Sequence, residues 1–181
     1  MSAAGLTPRA ADIARAARDL LDAEGPEALT MRRLANAIGI QAPSLYKHFP
    51  DKESLEAAVI ALAFEEQAEA FEAIVATTGS ETQLWALAKA YRTNALAHPH
   101  LYRLMNDRPL RRDLLPEGLE ARTAGALLTA AGGQDRARAA WAFAHGMTML
   151  ELHGRFPPGA DLDAVWEEGV RAFALAGPVT S

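Results

Sequence analysis

The chain of 181 residues contains no cysteine. That excludes a disulfide framework and any metal site built on thiolates, and it suits a reducing cytoplasm. No long hydrophobic run is present either. The longest plain apolar stretch, Ala57 to Phe64 ("AAVIALAF"), falls far below the ~18 residues that a membrane span needs. The start, "MSAAGLTPRAAD", lacks the basic residues and apolar segment of a secretory signal. These absences predict a soluble protein of the cytoplasm with no membrane partner. There is no surplus of positive charge, because the formal net charge is −5. Bulk charge therefore gives no support to nucleic-acid binding. Its distribution says more. Residues 1–55 carry seven Lys/Arg and seven Asp/Glu, so all the net acidity lies beyond them. A neutral module attached to an acidic body can still present a local basic face.

Alternating Val/Ile/Thr patterns are missing, as are internal repeats and low-complexity tracts. So are a Gly-rich phosphate loop, a Gly-x-Ser-x-Gly elbow and a nucleophile triad. What is present is helix. Half the residues are apolar, enough for a sizeable core, and the turns fall at Gly and Pro. The expected class is all-α. A first helix is predicted over Pro8–Glu24, with Thr7 as N-cap, Pro8 at the first position and Ile13, Ala17, Leu20 and Leu21 as its apolar stripe. Thr30 caps a second, Met31–Ala37, and Gly39 ends it in the left-handed conformation. A third runs over Ala42–His48, stopped by Pro50. Asp51 caps a long fourth, Lys52–Thr77. Later helices are expected at Glu81–Ala97, Pro99–Asn106, Pro116–Ala131, Gln134–His153 and Asp161–Ala176.

The stretch Gly39–Ser54, "GIQAPSLYKHFPDKES", sets a problem. A helix of about two turns is marginal in water and must be held by neighbours. Ala42, Leu45 and Phe49 form one apolar stripe for that purpose. Gln41, Ser44, Lys47 and His48 lie on the other side, with Tyr46 on the flank. Two helices joined by a short Gly-containing turn make a helix-turn-helix. Gln pairs bidentately with adenine, Ser serves either base type, and the apolar surfaces of Ala42 and Pro43 suit a thymine methyl. Tyr46, Lys47, His48 and Lys52 suit phosphate oxygens. Thr30 and Arg32, at the start of the second helix, lie where an anion is favoured. Spacing alone is also compatible with an ordinary helical hairpin whose polar face is solvated.

The segment Leu29–Leu55, "LTMRRLANAIGIQAPSLYKHFPDKESL", resembles the N-terminal DNA-binding domain of the TetR family of transcriptional regulators. The matching elements are Thr30, Leu34-Ala35, Gly39-Ile40, Leu45-Tyr46, His48-Phe49 and Lys52-Glu53. Departures are Ile40 where Val is usual, Gln41 where Ser is frequent, and Pro43 where Gly or a small residue is often found. The resemblance implies a three-helix DNA-binding domain over residues 1–50 and a helical bundle over 51–181 for ligand binding and dimerisation. It also implies a homodimeric repressor, a palindromic duplex operator and release by a small-molecule effector, with no cofactor. The Trp141-x-x-x-His145-Gly146 run is similar to the Trp-His-Gly subgroup of C-terminal domains. Dimerisation through Gln134–His153 and Asp161–Ala176 is what the family resemblance implies.

Gln134–His153 places Trp141, His145, Thr148, Met149 and Leu152 along one wide stripe. The last helix places Leu162, Val165, Trp166, Val170, Phe173 and Ala174 likewise. Candidates for an effector pocket are Phe64, Trp85, Tyr91, Tyr102, Leu104, Met105, Trp141, His145 and Met149, since pockets are mainly apolar. The competing reading makes most of these plain core. Arg92 and Arg103 are either anion partners or surface arginines. His98 and His100 open a helix, where His often lies exposed. No acids and histidines show metal-ligand spacing. Two rival functions remain at this point: a helical enzyme using His145 with Glu151, and a protein-interaction bundle.

Overall fold

The computed structural model describes residues 5–175. Among these are nine α-helices, one 3-10 turn and no strand. The helices are α1 (Pro8–Glu24), α2 (Met31–Ala37), α3 (Ala42–Tyr46), α4 (Lys52–Thr77), α5 (Ser80–Ala97), α6 (Pro99–Asn106), α7 (Leu119–Ala131), α8 (Gln134–Leu152) and α9 (Leu162–Leu175). The chain forms two compact units, Met1–Gln67 with His98–Glu120, and Ala68–Ala97 with Ala121–Ser181.

In the first unit, α1 begins where Thr7 accepts a hydrogen bond from Ala10 N–H at 3.3 Å and Pro8 follows. It buries Ile13, Ala14, Ala17, Leu20 and Leu21. Those side chains join Leu34 and Ala35 of α2, Leu45 of α3, Phe49, Leu55 and Val59 near and in α4, and Leu101 of α6 in one core. The second unit has smaller clusters. Phe71, Leu87 and Ala126 form one, Leu84, Ala140 and Val170 another, and Ala144, Met147 and Trp166 a third.

Several helix limits differ from the sequence expectation for local reasons. α3 stops at Tyr46 instead of His48, because Pro50 disfavours helical geometry at Phe49 and the chain turns off early. α7 starts at Leu119, not Pro116, because Gly118 adopts φ +78°. Asp161 is a cap rather than a helical residue, accepting from Ala164 N–H at 3.1 Å. Residue Ala176 and the side chain of Ala174 lie outside the described residues.

The larger correction concerns α8. Its buried residues are Ala137, Ala140, Ala144, Met147 and Thr148, and Trp141 is 50% exposed. The expected stripe of Trp141, His145, Thr148, Met149 and Leu152 contributes only Thr148 to the fully buried face. Alanines let α5 and α9 approach closely, so the small side chains take the inside. On α9, Trp166 and Val170 are buried while Val165 is 41% exposed.

Candidate DNA-binding surface

The turn between α2 and α3 is built by backbone hydrogen bonds. Gly39 adopts φ +69°. Its N–H donates to Asn36 O at 3.3 Å, and Ile40 N–H donates to Ala35 O at 3.0 Å. This closing pattern satisfies the last carbonyls of α2 and requires a left-handed residue at position 39. The start of α2 is fixed as firmly, since Thr30 Oγ1 accepts from Arg33 N–H at 3.1 Å.

With five residues, α3 has almost no stability of its own. Leu45 at 0% exposure and Phe49 at 3% pin it from behind, and Ala42 packs half-buried on the same core. Pro43 sits in the first turn, where its missing N–H leaves nothing unpaired. Gln41 stands at the N-cap, but its side chain caps nothing. Gln41, Pro43, Tyr46, Lys47 and His48 are exposed and Ser44 is half-buried. Thr30, Arg32 and Lys52 are also exposed. The polar side chains thus share one open surface, anchored by the apolar ones.

Charge on this surface is partly committed. Arg33 is tied to Glu24, with Nε 3.2 Å from Oε2, and this partner raises its pKa. Arg32 beside it is exposed. Lys52 Nζ lies 3.4 Å from Glu56. Asp51 caps α4 by accepting from Ser54 N–H at 2.7 Å, and Asp51 N–H donates to Ser54 Oγ at 3.3 Å. The Ser54 N–H and then its hydroxyl hold the Asp51 carboxyl below its usual pKa.

The pocket candidates are placed as follows. In the first unit, Phe64, Leu104 and Met105 are half-buried against the core and Tyr102 is buried. In the second, Trp85 and Tyr91 pack on the cluster of Ala144, Met147 and Trp166. The Trp141 and His145 ring centroids are 6.0 Å apart, and Met149 is half-buried. Arg92 is not a loose surface arginine. It donates to Glu151 at 3.1 and 3.0 Å, pairs with Asp163 and lies over the Trp166 ring at 5.6 Å. Trp166 Nε1–H donates to the same carboxylate. His145 and Glu151 stand six residues apart on α8, so helical geometry points them to different faces, and Glu151 is held by Arg92 and Trp166. The Arg92–Glu151–Trp166 network was not visible in the sequence, because its members stand far apart along the chain. His98 and His100 are not solvated as expected: His98 Nδ1 is 2.7 Å from Asp22, and the His100 ring rests on Gly25. Among the described residues no three His, Asp or Glu side chains gather as a metal site. None of the helices there is long and apolar enough to cross a membrane.

A two-helix module with one small helix held by its apolar side and its polar side open defines a helix-turn-helix DNA-binding protein. Family models agree. Residues 13–59 match "Bacterial regulatory proteins, tetR family", and residues 84–173 match "Tetracyclin repressor-like, C-terminal domain". An HTH-type transcriptional regulator of Mycobacterium tuberculosis is 30% identical over 171 residues, covering 90% of this chain and 78% of the relative. The chain belongs to the TetR family and is a transcriptional regulator of the DNA-binding, helix-turn-helix type. Solved structures share the fold. One is described as a possible TetR family transcriptional regulator from Streptomyces coelicolor A3(2), with TM-score 0.69, 24% identity and coverage of 91% and 96% of the two chains. Another is a point variant of TetR from Acinetobacter baumannii AYE in complex with minocycline, with TM-score 0.62, 23% identity and coverage of 90% and 92%.

Proposed function

We propose that this regulator is a cytoplasmic repressor that binds a palindromic operator as a homodimer and leaves it when a small molecule binds. The observation that carries the reading is the division of α3, with Leu45 at 0% exposure behind and Tyr46 at 49% in front. Gln41, Ala42, Pro43 and Ser44 face the base edges. Tyr46, Lys47, His48, Lys52, Thr30 and Arg32 meet phosphates. Two such helices in a dimer read half-sites about 34–36 Å apart, or a multiple of that.

The dimer uses α8 and α9. Support comes from their exposed apolar side chains: Trp141 at 50%, Leu150 at 42% and Val165 at 41%. The candidates for effector contact are Phe64, Tyr102 and Met105 in the first unit and Trp85, Tyr91, Trp141, His145 and Met149 in the second. A family relative in complex with minocycline supports a small-molecule ligand as a class. The Trp-His-Gly subgroup rests on Trp141, His145 and Gly146 alone.

The test is an electrophoretic shift with the DNA upstream of the chain's own gene at two salt concentrations. Binding should outlast competitor DNA and weaken steeply with salt. Tyr46→Ala and Lys47→Ala should both weaken it without changing thermal unfolding. Lys47→Ala should weaken it across all sequences. A Lys47→Ala protein with altered base preference alone contradicts the phosphate assignment.

A further inference from the structure

We propose that Arg108, on the connection between α6 and α7, is a DNA-phosphate contact of this protein from outside the helix-turn-helix. The proposal rests on the reading of α3 and Lys52 given above.

The first two turns of α4 are acidic. They carry Asp51 at the cap, then Glu53 and Glu56, with Lys52 as the one cation between. This segment follows α3 directly, so its carboxylates stand where the phosphate backbone is expected to pass. An uncompensated acidic turn there repels DNA. The compensation comes from "NDRPLRRD", residues 106–113, a basic connection that the helix-turn-helix argument leaves unused.

Its three arginines are not equivalent. Arg111 is clamped between Glu53 and Asp113, and both carboxylates raise its pKa. Arg112 is held in a two-pronged pair with Glu120, with both contacts at 2.7 Å. Arg108 is different. Its Nη1 is 3.7 Å from Glu56 Oε2, too long for a hydrogen bond, and its side chain is 76% exposed.

Glu56 is only 15% exposed and receives two cations, Lys52 at 3.4 Å on one oxygen and Arg108 at 3.7 Å on the other. Counted as a group of three, two cations and one carboxylate, Lys52, Arg108 and Glu56 carry a net charge of +1. The shared anchor holds the two cationic heads within roughly 9 Å of each other, close enough for the pair to meet neighbouring phosphates of one strand. Pro109 fixes the backbone dihedral directly after Arg108. Arg108 also keeps a planar fork of donors matched to phosphate oxygens. Glu56 acts through Arg108 and Lys52 and is a positioning residue.

The experiment is fluorescence anisotropy of the full chain with a labelled mixed-sequence duplex of about 30 bp over a NaCl series, which needs no knowledge of the operator. Arg108→Ala should weaken binding about 3- to 10-fold at low salt and reduce the slope of log K against log[NaCl] by about 0.9 per chain. Arg108→Lys should keep the slope, and Arg108→Glu should bind more weakly than Arg108→Ala. Lys89→Ala removes the same charge from an exposed position on α5, outside every surface assigned to DNA or to the dimer, and sets the change produced by total charge alone. Thermal unfolding should be unchanged in all four, since exposed ion pairs add little stability. If Arg108→Ala shifts affinity and slope no more than Lys89→Ala does, Arg108 touches no phosphate and the proposal is overturned, with the α3 reading intact. If the unmodified chain shows no affinity for duplex at low salt, the DNA-binding reading itself falls, and this proposal with it.

Discussion

Gly169→Ala should destabilise the protein, although alanine is the better helix former. Gly169 lies inside α9, where replacing glycine by alanine ordinarily gains about 1 kcal/mol. Here a Cβ would stand 2.0, 2.4 and 2.7 Å from Cζ, Cε2 and Cε1 of Phe143 on α8. Carbon atoms rest at about 3.5–4.0 Å, so the ring must retreat by roughly 1.5–2 Å. It is not free to do so. It packs T-shaped on Trp166 at 5.6 Å between centroids, and Phe173 lies 5.7 Å away. Trp166 is only 1% exposed. Forcing a side chain about 30° off its rotamer costs about 0.5–1.5 kcal/mol, and overpacking in general about 1–3 kcal/mol. The clash offsets or outweighs the helix term, and the net loss is about 0–2 kcal/mol.

For a chain of this size that lowers the melting temperature by up to about 8 °C. The assay is thermal unfolding by circular dichroism at one fixed chain concentration, because a dimer makes the midpoint concentration-dependent. The decisive arm is the double-mutant cycle with Phe143→Leu. Truncating the ring makes room, so Gly169→Ala should become neutral or stabilising in that background, with a coupling of about 1 kcal/mol or more. A Gly169→Ala protein that melts above the parent while Phe143 is present refutes the reasoning.

Two further outcomes follow from the DNA-binding unit. Leu45→Ala removes the fully buried anchor of α3 and should cost about 2–5 kcal/mol, with loss of DNA binding at the same temperature as loss of helicity; an unchanged melting temperature contradicts its core placement. Asp51 has a native pKa below its unfolded value, because Ser54 N–H and then the Ser54 hydroxyl bind the carboxylate. Its stabilisation is present above the ordinary carboxylate pKa and is lost as pH falls through the lowered native value. Asn keeps the cap without titrating, so Asp51→Asn should lose less stability than the parent on acidification below about pH 4. Parallel melting-temperature profiles of the two proteins contradict this.

What could be read from the sequence follows the distance between partners along the chain. Thr30 and the Arg33 amide are three residues apart, as are Asp51 and Ser54, and both caps are recognisable from residue type alone. The turn at Gly39 closes over five residues, from Ala35 to Ile40, and is legible for the same reason. The helix-turn-helix is assembled almost wholly from such local rules, so its fold and its open face were predictable together. Apolar periodicity was less reliable on α8, because a wide stripe of Trp141, Met149 and Leu152 hides the fact that Ala137, Ala140 and Ala144 allow the closer helix approach. Size marks what gains from burial; it does not say which face a neighbouring helix can reach.

Charge is the least legible property. Arg32 and Arg33 are adjacent and equivalent as letters, yet Glu24, nine residues back across the α1–α2 turn, claims only Arg33. Arg92 and Arg103 were equal candidates for an anion until Glu151, 59 residues on, took the first. The same holds for Glu53, whose partner Arg111 is 58 residues away. A count over residues 1–55 makes the DNA-binding module neutral, but that count omits Arg108 and Arg111, which settle on Glu56 and Glu53 of α4. The electrostatic unit is therefore larger than the helix-turn-helix that the local rules delimit. Salt dependence of DNA binding should be assigned to the packed unit, not to the motif.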